Sequence, residues 1–280
     1  MLGVRTLLMG VLNLTPDSFA DGGRYADPAA AVEAALAMVS AGADLIDVGG
    51  ESTRPGASPL SAADERARVE PVLRSLVPAV SVPVSIDTYK AEVAAAALDL
   101  GATIVNDISA LEYDSALSTV VAGRGAALVL MHTRGRSSEM YRHAHYDDVA
   151  AEVARELDAR VTAAVEAGVP REALILDPGL GFAKRAEHSG RLLADLGPVA
   201  RLGRPLLVGP SRKSFLTRAL GARPPAEREW ATAAAVTAAV LGGAHIVRVH
   251  GVTAMADVVK VADMLRRDAG LDCDGSGETR

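Results

Sequence analysis

Side chains able to do chemistry recur at the ends of short apolar runs along this 280-residue chain. In order they are Asn13, Asp47 and Glu51, Asp87, Asn106 and Asp107, His132, Asp177, Arg212 and Lys213, then Arg248 and His250. The set is acidic or amide-bearing through the first six runs and cationic at the last two. Carboxylates and amides accept from N–H groups, whereas cations neutralise phosphate. The division therefore suits a ligand with a donor-rich neutral end and an anionic end. Arg248 and His250 lie two apart on a predicted strand and share a face. Two cations buried there are costly without an anion. Ser211-Arg-Lys-Ser214 reads as the opening of a helix after the seventh run, where backbone N–H groups favour an anion or a carboxylate.

Each residue also fits a plainer role. Asp87 is suited to capping a helix that begins near Lys90, and Asp177-Pro178-Gly179 is good turn chemistry. Asn106 at a strand end is equally suited to satisfying loop backbone. His132 is better read as a packed strand-end histidine than as a catalyst. Asp47 and Glu51 are read as organisers of loop backbone around Gly49 and Gly50. The Ser211–Ser214 segment also fits a solvated basic helix start.

The elements that must position these groups are legible as alternation. The apolar runs, often β-branched, are Leu7–Leu14, Leu45–Gly50, Pro83–Thr88, Ile104–Ser109, Leu128–Thr133, Leu174–Gly179, Leu206–Ser211 and Ile246–Gly251. Ala-rich segments with helical spacing lie between them. Ala29–Ser40 is opened by Asp27-Pro28 and closed by Gly42; Ala91–Leu100 and Val149–Ala167 end at Gly101 and Gly168. Strand–helix alternation implies parallel strands with crossover helices. Eight units predict an α/β fold, a single-domain (β/α)8 TIM barrel over residues 1–268, with 269–280 a polar tail expected to be disordered. An open doubly wound sheet is the alternative, but its G-x-G-x-x-G is missing after the first strand. The segments 15–27, 51–61 and 134–147 are long for βα loops and are read as lids or binding loops.

Composition bounds the function classes. Aromatics are only 3 %, so Val, Leu, Ile and Ala must build the core, as in strands buried on both faces. A net charge of −6 leaves no basic stripe for nucleic acid. The one cysteine, Cys273, provides neither a disulfide framework nor a metal cluster. The first apolar run leads straight into Thr15-Pro16-Asp17 with no small-residue cleavage site, so it reads as a strand and not a signal peptide. No apolar run approaches the ~20 residues that span a bilayer. The expectation is a cytoplasmic protein with no membrane or nucleic-acid partner. The residues by themselves go no further than a barrel enzyme acting on a phosphorylated or pyrophosphorylated small molecule.

Seven motifs in register with the strand ends resemble those of the dihydropteroate synthases. They are Met9–Gly23 (MGVLNLTPDSFADGG), Asp47–Gly56 (DVGGESTRPG), Ser85–Thr88, Val105–Ile108, Asp177–Phe182 (DPGLGF), Ser211–Lys213 and Arg248–His250. The resemblance covers the chain up to the tail. It implies condensation of 6-hydroxymethyl-7,8-dihydropterin pyrophosphate with 4-aminobenzoate in folate biosynthesis, releasing pyrophosphate, and an enzyme targeted by sulfonamides. It also implies a homodimer through barrel helices. It assigns Asp87, Asn106, Asp177 and Lys213 to the pterin. Asn13, Thr53, Arg248 and His250 go to the pyrophosphate, with Mg²⁺ at Asn13. Thr53, Arg54, Pro55, Phe182, Lys213 and Ser214 go to the aminobenzoate. Asp21 on the first loop matches a residue that stabilises a cationic pterin, and Asp21, Lys213, Arg248 and His250 form the catalytic set. Three positions depart from the family pattern: Gly251 follows His250 where Asp is more usual, Ala183 replaces a common Gly, and Pro210 precedes the Ser-Arg-Lys motif.

Three rivals are weighed beside it. A methyltetrahydrofolate-binding methyltransferase barrel has similar acidic strand ends but no use for the Ser211 and Arg248 motifs. A Schiff-base aldolase would use Lys213, with Arg212 depressing its pKa, and leaves the acidic rim unexplained. A non-catalytic pterin-binding protein would keep Asp87, Asn106 and Asp177 without needing the first loop.

Overall fold

The computed structural model describes residues 3–15, 27–53, 58–136 and 139–271. Along them run β1 Leu7–Asn13, α1 Pro28–Ser40, β2 Leu45–Gly49, α2 Ala62–Leu76, β3 Val84–Asp87, α3 Ala91–Asp99, β4 Ile104–Asp107, α4 Ala116–Arg124 and β5 Ala127–Met131. There follow α5 Val149–Glu166, β6 Leu174–Asp177, α6 Ala186–Ala194, α7 Gly197–Ala200, β7 Leu207–Val208, α8 Thr217–Leu220, α9 Glu229–Leu241, β8 Ile246–Val249 and α10 Val252–Asp268. The eight strands pair in parallel in the order β6-β5-β4-β3-β2-β1-β8-β7. A parallel bridge between Leu176 and Leu206, with Leu176 N donating to Pro205 O at 2.9 Å, brings β6 to β7 and nearly closes the barrel. That seam excludes the open doubly wound sheet.

The helices start where their caps dictate. Asp27 accepts from Ala29 N ahead of Pro28, Ser61 accepts from Asp64 N to open α2, and Asp148 accepts from two backbone amides to open α5. The strands sort their side chains by period two. Leu8, Leu12, Ile46, Val48, Leu128, Leu176 and Val247 face the helices in one large apolar cluster. Leu7, Met9, Leu45, Ile104, Val129, Ile175, Leu207 and Ile246 form a separate cluster that plugs the barrel interior. Two or four residues further along those same inward faces stand Asn13, Asp47, Asn106, Met131, Asp177, Arg248 and His250. The alternation that fills the barrel therefore also aims the functional groups at its C-terminal mouth.

One expected element differs. The helix expected to open at Ser211–Ser214 is a single 3₁₀ turn, Ser214–Leu216, running into the four-residue α8; the crossover helix α9 begins only at Glu229. Pro210 and the left-handed Arg212, φ 57°, turn the chain before any helix can start. The helix α10 ends at Asp268, and most of the expected tail lies outside the described residues. No helix among the described residues is long and apolar enough to cross a membrane.

Candidate functional site

At the C-terminal mouth of the barrel lies an open cleft of about 530 Å³. Its walls include Thr53, Asp87, Asn106, Asp177, Phe182, Lys213, Arg248 and His250, together with the apolar Ile108, Met131 and Leu180. Of the groups that the strand ends offered, the structure gathers Asp87, Asn106, Asp177, Lys213, Arg248 and His250 in one cleft, whereas Glu51, Asp107, His132 and Arg212 do not line it. Asn13 and Asp87 flank Gly49 at the rim: a Cβ at Gly49 would sit 3.5 Å from Asn13 Oδ1 and 3.5 Å from Asp87 Cβ. Ser214 is exposed beside Lys213 and does not line the cleft. Without a long helix behind it, the expected helix-start carboxylate site loses its dipole. Asp21, Arg54 and Pro55 lie outside the described residues.

Arg248 organises the floor. Its Nε donates to Asp47 Oδ2 at 2.6 Å and its Nη2 to Asp87 Oδ2 at 2.7 Å. The anion that a buried arginine requires is therefore supplied by the protein's own carboxylates. Asp47 is wholly buried and also accepts from Asn106 Nδ2 at 3.0 Å. That bond leaves Asn106 Oδ1 to accept from a ligand. Asp177 Oδ1 accepts from Gly179 N at 2.7 Å, an Asx turn that fixes the carboxylate over the cleft. Ser211 Oγ lies 3.0 Å from His250 Nδ1 and accepts from His250 N at 3.2 Å, which ties the β7 loop to the end of β8. Lys213 Nζ stands 4.1 Å from the centre of the Phe182 ring, a cation–π contact across the opposite wall.

Burial sets the charge states. It pushes the Asp87 carboxyl up to about 7, against the pull of Arg248. Burial also raises Asp177, opposed by the Gly179 N–H and Lys213. It lowers the Lys213 ammonium to about 8, opposed by Asp177 and Asp87. Arg248 is pulled down by burial and lifted further by Asp47 and Asp87, so it stays charged. The cleft thus holds carboxylates that need donors and an amine that needs an acceptor, a mixture suited to a flat heterocycle carrying both.

Several plainer readings are settled. Asp87 does not cap α3; Lys90 is the cap residue, and Thr88 Oγ1 accepts from its amide. Asp47 is not a loop organiser, because its partners are Arg248 and Asn106. Glu51 is one: it accepts from Leu60 N at 3.2 Å, Tyr89 Oη at 3.0 Å and Lys90 Nζ. Asp107 likewise serves its own loop, accepting from Ser109 N and Leu111 N. His132 is packed, 2.9 Å from Glu156 Oε2 and 2.8 Å from Lys184 Nζ. Lys184 carried no pattern that could single it out. Ser211 was visible only as the first residue of its motif.

Comparison with known proteins agrees with this geometry. A protein-family model described as "Pterin binding enzyme" matches residues 9–250. The dihydropteroate synthase of Mycobacterium leprae is 50% identical over 260 residues, covering 91% of each chain. The Yersinia pestis dihydropteroate synthase, solved in complex with a sulfonamide drug, superposes with a TM-score of 0.90 at 40% identity, covering 94% of this chain and 95% of that one. The Xanthomonas albilineans dihydropteroate synthase with 4-aminobenzoic acid gives 0.87 at 41%, covering 94% of both.

Proposed function

The chain belongs to the family of pterin-binding enzymes, and from that premise we propose that it catalyses dihydropteroate synthesis. The reaction joins 6-hydroxymethyl-7,8-dihydropterin pyrophosphate to 4-aminobenzoate and releases pyrophosphate. The observation that carries this reading is one cleft in which Asp87, Asn106 and Asp177 face Lys213, Arg248 and His250. A pterin edge presents a ring N–H beside an amino group, and Asp177 can accept from both in a charge-assisted pair. Asn106 Oδ1 and Asp87 take the remaining donors, and Lys213 donates to the ring's acceptor side. Arg248 and His250 sit where the pyrophosphate leaves, next to Ser211. The aminobenzoate ring lies along the Phe182 and Thr53 wall, with its carboxylate towards Lys213 at the mouth. A sulfonamide drug, which the Yersinia pestis relative binds, would compete at that same wall.

The bond to pyrophosphate breaks first in this account. The leaving oxygen keeps the electron pair, and the electron-rich dihydropterin ring delocalises the positive charge. The aromatic amine then attacks the exocyclic carbon and loses a proton. Arg248 and His250 hold the oxygens on which charge grows, so they stabilise the transition state more than the ground state. The carboxylates beneath the ring stabilise the cation, a role that the resemblance also gives to Asp21.

Mg²⁺ belongs to this reading as a metal carried largely by the substrate. Among the described residues no group of three His, Cys, Asp or Glu side chains could hold a metal ion. One amide ligand, Asn13, with pyrophosphate oxygens and water fits the usual sparse coordination of magnesium. When bound, the ion would neutralise the pyrophosphate.

The outer face of α9 and α10 supports a homodimer. Trp230 is 90% exposed and, with Leu241 on α9 and Val261, Met264 and Leu265 on α10, presents apolar surface on two helices that pack side by side. A second copy would cover it, and sedimentation at micromolar concentration should give twice the chain mass. The reaction itself is tested by mass spectrometry of the products. Dihydropteroate formed only when both substrates are present supports the reading; its absence with intact, folded protein overturns it.

A further inference from the structure

Lys184 makes none of the contacts that the proposed reaction uses, yet it is a lysine only 1% exposed. Its Nζ lies 2.8 Å from His132 Nδ1, 3.1 Å from Gly179 O, 3.1 Å from Phe182 O and 3.4 Å from His132 O. An ammonium group has three N–H donors, and the three closest acceptors use all of them. With Nδ1 accepting, His132 carries its proton on Nε2 and donates to Glu156 at 2.9 Å. Glu156 is held in turn by Arg134 Nε at 3.0 Å.

The Lys184 contacts add to an Asx bond from Gly179 N to Asp177 Oδ1 at 2.7 Å and a turn bond from Phe182 N to Gly179 O at 3.1 Å. Gly179, Gly181 and Ala183 all have positive φ, and alanine adopts that conformation only when its surroundings enforce it. A Cβ at Gly179 would come within 2.0 Å of His132 O, so the turn is pressed against the end of β5. Gly181 N donates to Ser189 Oγ and Tyr146 Oη to Ala183 O, both at 3.1 Å. The Asp177 backbone is anchored to the end of β5, since its carbonyl accepts from His132 N at 2.9 Å. The turn lines the cleft with Gly179, Leu180 and Phe182, and the Phe182 ring meets Lys213.

We propose that Lys184 is a positioning residue for the second substrate: by clamping the carbonyls of Gly179 and Phe182 to His132, it holds the Phe182 ring against Lys213 as the aminobenzoate wall. This rests on the functional reading above. Asp177 is held by the β5–β6 ladder and keeps its own bond to Gly179 N, so losing the clamp should move the Phe182 side of the turn more than the pterin side.

The test uses the full-length wild type, Lys184→Met and Lys184→Gln. KM for 4-aminobenzoate is measured at saturating pterin substrate, and 6-hydroxymethylpterin affinity by calorimetry. Lys184→Met should raise the aminobenzoate KM about tenfold, the scale of one or two lost hydrogen bonds, with pterin affinity changed less than about threefold. Lys184→Gln, which retains two N–H donors, should fall between. If the methionine variant is not recovered folded, the glutamine variant must still show a raised KM for aminobenzoate alone. A lowered melting temperature with unchanged KM, or equal loss of both ligands, overturns the proposal. A wild type that makes no dihydropteroate overturns the functional reading instead.

Discussion

The guanidinium of Arg248 and the carboxylate of Asp47 meet at 2.6 Å, although 201 residues separate them in the chain. Asp47 is fully buried and holds Asn106 with the same oxygen. One hidden carboxylate thus aligns a residue assigned to the pterin with one assigned to the pyrophosphate. The two ends of the substrate are registered to each other through the barrel floor.

Breaking that link should have two separable effects. Arg248→Ala leaves Asp47 and Asp87 without their cation, and losing one partner of a buried pair costs about 3–5 kcal/mol. It should also lower kcat about 10²–10³-fold, as removal of a transition-state charge partner does. Adding Asp47→Asn removes a buried charge and should recover part of the stability in urea unfolding without restoring kcat. Turnover returning together with stability would make Arg248 merely structural.

Asp177→Asn should weaken pterin binding strongly, because an amide sets a donor against a donor. Removing one partner of a buried charge-assisted pair typically costs about 2–5 kcal/mol. Unchanged affinity by calorimetry would refute the pocket assignment.

The pH dependence follows from opposed shifts. Recognition needs Asp87 ionised and Lys213 protonated. Burial puts Asp87 at about 7 and Lys213 at about 8. The kcat/KM for the pterin substrate should therefore rise to about pH 7 and fall above about pH 8. Stability runs the other way. The native state holds the Asp87 proton that the unfolded chain has lost, so stability falls as pH rises from the ordinary carboxylate range to about 7. Lys213 in the folded protein has shed a proton the unfolded chain keeps, so stability rises above about pH 8. Asp87→Asn should remove the acid limb of the activity profile; an acid limb that survives unchanged belongs to another group.

Gly251 makes room for a carboxylate that arrives from elsewhere. A Cβ there would lie 1.9 Å from Glu229 Oε1, and Glu229 Oε2 accepts from Arg212 Nε at 3.1 Å. Gly251→Asp, which introduces the residue more usual in the family, should lower both the melting temperature and kcat in this chain. Glu229→Ala in the same protein should relieve the clash and recover stability. A single variant as stable as wild type would show that the space is not contested.

Much of this was legible because strand alternation is a strict code. The β-branched runs located seven strands to within two residues at each end and β7, which stops at Val208, to within three, and period two then put Asn13, Asp87, Asn106, Asp177, Arg248 and His250 at one mouth. What stayed hidden depends on long-range contact. Asp47 looked like a loop organiser because its partner lies at the other end of the chain. Lys184 sits in an irregular turn, where no periodicity distinguishes a buried lysine from a solvated one. The short segment after β7 looked helical because polar residues followed a strand, but Pro210 and the left-handed Arg212 divert it.

The most direct measurement of the central claim is pyrophosphate release in Mg²⁺ buffer from 6-hydroxymethyl-7,8-dihydropterin pyrophosphate, with and without 4-aminobenzoate. The account predicts sustained release only when both are present, one pyrophosphate for each dihydropteroate, and at least about 10²-fold slower release by Arg248→Ala. No release by folded wild-type protein, or release that yields no dihydropteroate when aminobenzoate is present, would contradict it.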